Sequence, residues 1–292
     1  PLNGYWGFTS QEVTLTSAPH SGDFTVQYEG LSITTLETEV ILGASSWKDH
    51  LSNMPLEFQF GYQMEYPNEP NRPSSPTFIL QPFSRQITLS TRALPPGTVL
   101  PVVWVRNKHG MVRRAYYGCD LNGAGASQSK CARATPLIIN NVAKGPDGLY
   151  SSTLIAKMNA YEFHKFDQME RVILMSAFAW AGHQDHVPGA TTRCESCISF
   201  NKFVLAQLTH ALNMYPLLTQ RNIYGSVLLT VLYPMTENFV DFQDVSLNTQ
   251  VTAMFDQALS MKMVTGYDLA TQDVKLGIMN YMIQTANISA TV

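Results

Sequence analysis

Four side chains of metal-binding type lie close together in the second half of the chain. They are two histidines, His183 and His186, followed by two cysteines, Cys194 and Cys197. Two residues separate the members of each pair, and the seven-residue connection between the pairs holds Pro188-Gly189. Zinc takes four nitrogen or sulfur ligands in a tetrahedron, and such spacing lets one turn supply two of them. Because four protein ligands leave no open position, the motif predicts a structural zinc.

Other interpretations of these residues stay open. His183 and His186 could bond the free carbonyls at a helix end, while the cysteines serve as ordinary thiols near a core. A C-x-x-C redox pair needs a preceding strand and a helix start, and only the helix start, from Ile198, is indicated. A hydrolytic or metal-dependent enzyme is a further alternative. Its site would lie near the same cluster, at the junction of strands and helices, with His164 and Glu195 as additional groups.

Two more cysteines bracket a glycine-rich stretch. Cys119 and Cys131 lie twelve residues apart and could close a loop by a disulfide in an oxidising compartment. Four cysteines allow three pairings, and the sequence does not choose among them. The N-terminus has no basic segment and apolar run of the kind that signal peptides carry. We therefore expect reduced thiols, and a location in a virion or in the host cytoplasm during assembly.

The composition excludes some classes of function. The chain has 292 residues, 19 basic and 22 acidic side chains, and a net charge of −3. That balance makes nucleic acid unsuited as the main partner, because such binding is dominated by basic contacts to phosphates. The longest apolar runs, Val172–Gly182 and Val227–Tyr233, are shorter than a membrane span needs. We expect no transmembrane segment.

The first half of the chain is typical of β-structure. Short runs rich in β-branched and aromatic residues alternate with Gly, Pro and Asn turns. The predicted strands are Glu12–Thr16, Phe24–Tyr28, Leu31–Leu42, Leu56–Tyr62, Thr77–Leu80, Gln86–Arg92, Val99–Val105, Met111–Tyr117 and Pro136–Asn140. Strands of this number and spacing predict an antiparallel β-sandwich or jelly-roll-like unit.

After the turn Lys144–Gly148 the apolar period changes to that of helices. Helical spacing starts at Ser151, with Ser151 or Ser152 as the cap, and continues to Phe178. Further helices are predicted at Ile198–Tyr215, Leu247–Val264 and Leu269–Ile288, and a buried strand at Gly225–Tyr233. The sequence thus predicts an α+β protein with a β-rich domain, 1–145, and a mainly helical domain, 146–292.

A functional expectation follows from the low charge. Charged residues make up 14% of the chain, against roughly 25% in ordinary soluble domains. Neutral polar and aromatic side chains cost less to bury between subunits than charged ones. The sequence favours a self-assembling structural protein, a shell subunit of a non-enveloped virus. Its partners would be copies of itself around a three-fold or other cyclic axis, and other shell proteins. A secreted or surface-exposed binding module is another alternative, which requires disulfides.

Overall fold

The described part of the chain forms a mixed α+β structure in which the strands precede the three α-helices, as the sequence predicts. The computed structural model describes residues 17–65, 67, 77–119, 134–161, 168–185, 195–213, 246, 249–251 and 253. The strands are β1 (Asp23–Tyr28), β2 (Ile33–Thr34), β3 (Val40–Ser45), β4 (Glu57–Glu65), β5 (Thr77–Ile79), β6 (Thr88–Thr91), β7 (Gly97–Arg106), β8 (Val112–Tyr116) and β9 (Leu137–Asn140). The helices are a 3-10 turn, Leu51–Asn53, and α1 (Tyr150–Ala160), α2 (Gln168–His183) and α3 (Glu195–Asn213).

The strands form two sheets. One has three strands in the order β1-β3-β6, all antiparallel. The other has six strands in the order β2-β9-β7-β4-β5, with β8 also paired to β7. The long strand β7 is central because it pairs with β4 from Thr98 to Arg106, with β9 at its start and with β8 at its end. The pairing of β2 with β9 is parallel, so the sheet is not purely antiparallel.

Both faces of the six-stranded sheet are covered by apolar side chains. One face of β4, carrying Phe58, Phe60, Tyr62 and Met64, belongs to the main core. Phe24 of β1 reaches that core, with its ring 6.1 Å from the ring of Phe60. On the opposite face, Trp104 belongs to a second, smaller cluster. A Cβ at Gly61 would lie 2.8 Å from the Trp104 ring and 2.3 Å from the carbonyl oxygen of Phe78, so only glycine fits there.

The predicted strand Leu31–Leu42 is wrong in its continuity. The chain forms β2, turns, and only then enters β3. Leu36 lies in the turn with φ 64°, a left-handed conformation that interrupts an extended run. Its N–H donates to the carbonyl of Arg92 at 2.9 Å, which ties the turn to the end of β6. The other predicted strands from Phe24 onward are confirmed to within a few residues, and Glu12–Thr16 lies outside the described residues.

The helical segment from Ser151 is confirmed as helical but is divided into α1 and α2, and the predicted serine cap is wrong. Leu149 occupies the N-cap position without a side-chain bond to the helix. The predicted helix Ile198–Tyr215 corresponds to α3, which starts three residues earlier. Of Leu247–Val264 only residues 249–251 and 253 are described, as helix, whereas Gly225–Tyr233 and Leu269–Ile288 lie outside the described residues.

The core is continuous across the change from strands to helices. Tyr62 of β4 and Ser176 of α2 share a buried hydrogen bond at 3.4 Å between their hydroxyl oxygens. The rings of Phe78 and Trp180 meet edge to face at 5.8 Å. The division into units 1–145 and 146–292 stays a prediction. The change from strands to helices falls at the predicted turn, where Gly148 N–H donates to Gly145 C=O.

Within the described residues, no helix is both long and apolar enough to cross a membrane.

Candidate functional site

The structure describes only part of the predicted zinc motif. His183 is the last residue of α2, and its ring meets Trp180 edge to face at 6.2 Å. Glu195 and Cys197 lie in the first turn of α3, whereas His164, His186 and Cys194 are outside the described residues. The described part of the chain contains no group of three or more His, Cys, Asp and Glu side chains placed to hold a metal ion. The zinc site and the alternative enzyme site near it stay predictions.

Cys119 and Cys197 are both disulfide-bonded. The expectation of reduced thiols is therefore wrong for these two residues. A disulfide sulfur carries no thiolate, and zinc binds the thiolate form of cysteine. Zinc binding through Cys197 would thus require that its disulfide first be reduced.

The two residues between the motif histidines have structural roles. The carboxylate of Asp185 accepts hydrogen bonds from the backbone N–H groups of Tyr150 at 2.7 Å and Ser151 at 2.8 Å. It thereby caps α1 from 35 residues away and places negative charge at the helix N-terminus, where the dipole favours it. Asn141 donates to the side chain of Gln184 and to the carbonyl of Ala181, which satisfies the end of α2.

A cleft of about 560 Å³ lies between β6 and α2. Its lining combines an apolar floor with a polar rim. The floor includes Leu80, Leu89, Ile173 and Leu174, and the rim includes Glu39, Ser90, Arg92 and Tyr161. Such a volume is within the range of ligand-binding pockets, which are mainly apolar with a few polar groups. No local sequence pattern marks this cleft, because its lining comes from segments far apart in the chain.

Gln81 is the polar group that lies deepest in this lining. Only 8% of its surface is exposed, and its buried Nε2 has no hydrogen-bond partner among the described residues. A buried amide N–H that lacks a partner costs about 1–3 kcal/mol. An acceptor supplied from outside the described chain would remove that cost.

The rim of the cleft is fixed by the segment that contains Leu36. The hydroxyl of Tyr161 donates to the carbonyl of Leu36 at 3.1 Å, and the Thr35 hydroxyl donates to the carbonyl of Leu94 at 2.7 Å. Burial raises the pKa of Tyr161, although the positive charges of Arg92 and Lys157 oppose that increase. Tyr161 therefore stays protonated as a hydrogen-bond donor well above neutral pH.

Two charged side chains mark the mouth of the cleft. Arg92 and Glu39 lie 3.7 Å apart, and about half of each side chain is exposed. Exposed pairs of this kind contribute at most about 1 kcal/mol. Glu39 also accepts a hydrogen bond from Ser90 of β6. The pair therefore adds little to stability and places charge of both signs beside β6.

Among the described residues, no strand pairs with β6 on the side that faces away from β3. Ala44 N–H donates to Ile87 C=O, so Ala44 and Ile87 are a hydrogen-bonded pair of the antiparallel ladder. The register places Leu89 opposite Leu42 and Ser90 opposite Ile41. Because bonding alternates along such a ladder, the N–H and C=O groups of Thr88 and Ser90 point out of the sheet edge. In the described part of the chain, no strand pairs with that edge.

A second polar cluster lies at the base of the β7–β8 hairpin, and no local sequence pattern predicts it. Asp49 accepts hydrogen bonds from Asn53 and from the buried Asn107, at 2.7 and 2.9 Å. Asn107 in turn accepts from the backbone N–H groups of His109 and Met111. Burial favours a higher pKa for Asp49, but these hydrogen bonds, the N–H of His50 and the charge of His20 together lower the pKa. The cluster holds the hairpin loop in place.

Compared with known proteins, the chain matches no family model, no curated protein and no solved structure at a significant level. The assignment of a function therefore depends on the physical features described above.

Proposed function

We propose that this chain is a self-assembling structural protein, a shell subunit of a non-enveloped virus. The observation that carries the proposal is the outward face of the three-stranded sheet. The register of the three strands assigns to that face Asp23, Thr25, Gln27, Ile41, Gly43, Ser45, Thr88 and Ser90. Asp23 is the only charged residue among these eight, and it lies at one corner.

An exposed sheet face with so few charges is suited to burial between subunits. Charged side chains are depleted at the centres of interfaces because they are costly to desolvate. Five of these eight residues are threonine, serine or glycine and therefore small, and Ile41, on the middle strand of the face, is 40% exposed. We further propose that the two sheets, in contact through Phe24 and Phe60, are the layers of a sandwich-like unit of the kind that shells use.

Assembly can be measured directly by sedimentation velocity over a range of concentrations. We expect the native chain to form oligomers and Ile41→Lys to weaken their formation at least tenfold, because it places a charge on the middle strand of the face. Asn159→Lys, on the exposed side of α1, adds the same charge away from the face and is the matched control. A native chain that stays monomeric at high concentration would refute the proposal.

A second candidate function has one observation in its favour. A secreted or surface-exposed binding module requires disulfides, and Cys119 and Cys197 are disulfide-bonded. The same sedimentation experiment separates the two functions. The module predicts a monomer with oxidised cysteines, whereas the shell subunit predicts oligomers that Ile41→Lys weakens.

A further inference from the structure

We propose that the free edge of β6, with the cleft beside it, receives an extended segment from a second copy of this chain, which adds to the sheet as a fourth strand. The inference rests on the proposed self-assembly and specifies one contact through which two copies bind.

The backbone of β6 supplies the recognition. Thr88 and Ser90 together present two N–H donors and two C=O acceptors outward, as the ladder with β3 requires. An incoming strand satisfies these groups with its own backbone, in the way that peptides add to open sheet edges. Four residues of extended chain span roughly 13 Å, enough to engage both residues.

The four residues of β6 lack the features that normally prevent such pairing, and the charged pair of Arg92 and Glu39 lies beyond its end. Proteins protect exposed edges with charged side chains or proline in the strand. The edge strand β8 follows that rule, because it carries Arg113 and Arg114. The sequence of β6 is Thr-Leu-Ser-Thr, with neither charge nor proline.

The lining of the cleft also offers a polar group to an incoming strand. Gln81 lies in this lining, and its buried Nε2 finds no hydrogen-bond partner in the part of the chain that the structure describes. A strand beside β6 has carbonyl groups on its other edge as well, and one of them can accept from this amide. The apolar side chains of Ile173 and Leu174 in the floor suit the alternate side chains of such a strand.

A second copy is favoured as the source because the edge continues into the proposed interface. Thr88 and Ser90 belong both to the neutral face and to the free edge. Contact between copies over the face would therefore bring chain from one copy to the β6 edge of the other. The strand β6 carries no charged side chain, so β6 itself does not repel an incoming segment electrostatically.

The first test removes one backbone donor. Ser90→Pro deletes an N–H that makes no bond to β3, and proline restricts the preceding Leu89 to the extended conformation that it already has. Ser90→Ala is the matched control, since it removes the same hydroxyl but keeps the N–H. We expect Ser90→Pro to raise the concentration needed for assembly at least tenfold over Ser90→Ala. Equal assembly of the two variants would overturn the inference.

A second variant tests the role assigned to Gln81. Gln81→Leu removes the amide that we assign to the incoming strand, and it also removes an unpaired buried group from the isolated subunit. We expect weaker assembly together with an unchanged or higher melting temperature of the subunit. Unchanged assembly would count against the role of Gln81.

Hydrogen exchange tests the inference on the unaltered protein. The amides of Thr88 and Ser90 should exchange rapidly in dissociated subunits and at least tenfold more slowly in the assembly. Assembly without this protection would refute strand addition but leave the proposed shell function intact. Absence of assembly by the native chain would refute both. Protection that appears only when another protein is added would refute the second copy as the source.

Discussion

Asn107 donates a hydrogen bond from Nδ2 to Oδ2 of Asp49, joining residues 58 positions apart at 2.9 Å. The carboxylate is the acceptor of this bond and of two others, so its charged form is stabilised in the folded state. The folded pKa of Asp49 is lowered below 3.8 as a result. Its contribution to stability is present above the unfolded pKa and is lost as the pH falls through the lowered folded pKa.

Asn107→Asp should destabilise the protein in a pH-dependent way. It replaces the donor with a second carboxylate in a buried position, at a cost of about 2–4 kcal/mol at pH 7. Protonation of one carboxylate relieves the repulsion, so the loss relative to the native protein should shrink at pH 5. Urea unfolding at both pH values measures this. The double variant Asp49→Asn/Asn107→Asp restores one donor and one acceptor, so it should recover most of the stability. A stability loss of Asn107→Asp that is the same at both pH values would contradict this explanation.

Asp185→Ala should destabilise the junction of α1 and α2. The substitution removes the acceptor of two N–H groups at the start of α1, and lost N-caps cost about 1–2 kcal/mol. Asp185→Asn keeps an acceptor but loses the charge, and should cost less. Thermal unfolding and amide exchange at Tyr150 and Ser151 measure both effects. Equal losses for the two variants would show that charge, rather than hydrogen bonding, dominates this cap.

Gly182→Ala should be destabilising although alanine is the better helix former. A Cβ at this position would lie 2.3 Å from the Phe200 ring, where α2 packs on α3. The gain in helix propensity is about 1 kcal/mol, and overpacking costs about 1–3 kcal/mol. Adding Phe200→Leu to Gly182→Ala should recover part of the stability by making room. A Gly182→Ala variant more stable than the native protein in urea would show that the two helices can separate at little cost.

The disulfide and the predicted zinc site compete for Cys197. We expect Cys119 and Cys197 to resist thiol reagents in denatured, unreduced protein. After reduction, native mass spectrometry should detect one bound zinc, and His183→Ala should abolish it. Reduced protein that binds no zinc would refute the metal site. Zinc in unreduced protein that is lost in Cys197→Ser would show that the thiolate, and not the disulfide, is the native form.

The pattern of side chains was sufficient to predict the local elements. The alternation in Gln86–Arg92 marks β6, and apolar residues at helical spacing mark α3. The local pattern could not show the turn at Leu36. The N–H of Leu36 donates to the carbonyl of Arg92, and that acceptor lies 56 residues later in the sequence. A buried leucine with positive φ has no signature in local sequence.

The candidate site was less accessible to prediction, for the same physical reason. Ser151 and Ser152 looked like caps, but Asp185 takes that role from the far end of α2. Gln81 is one of many polar residues in the sequence, and only the fold shows that its amide is buried without a partner. The zinc site could be predicted from the sequence only because its four residues are close together in the chain.

The link between Tyr62 and Ser176 has a consequence for synthesis on the ribosome. The face of β4 leaves the exit tunnel more than a hundred residues before the part of α2 that covers it. During that interval Tyr62 and Phe78 have no helix to cover them, and an uncovered apolar sheet face is prone to aggregation. We expect the nascent chain to bind chaperones until about residue 183 has emerged, and to release them abruptly afterwards. Translation pauses placed before α2 would then lower the soluble yield more than pauses placed after it.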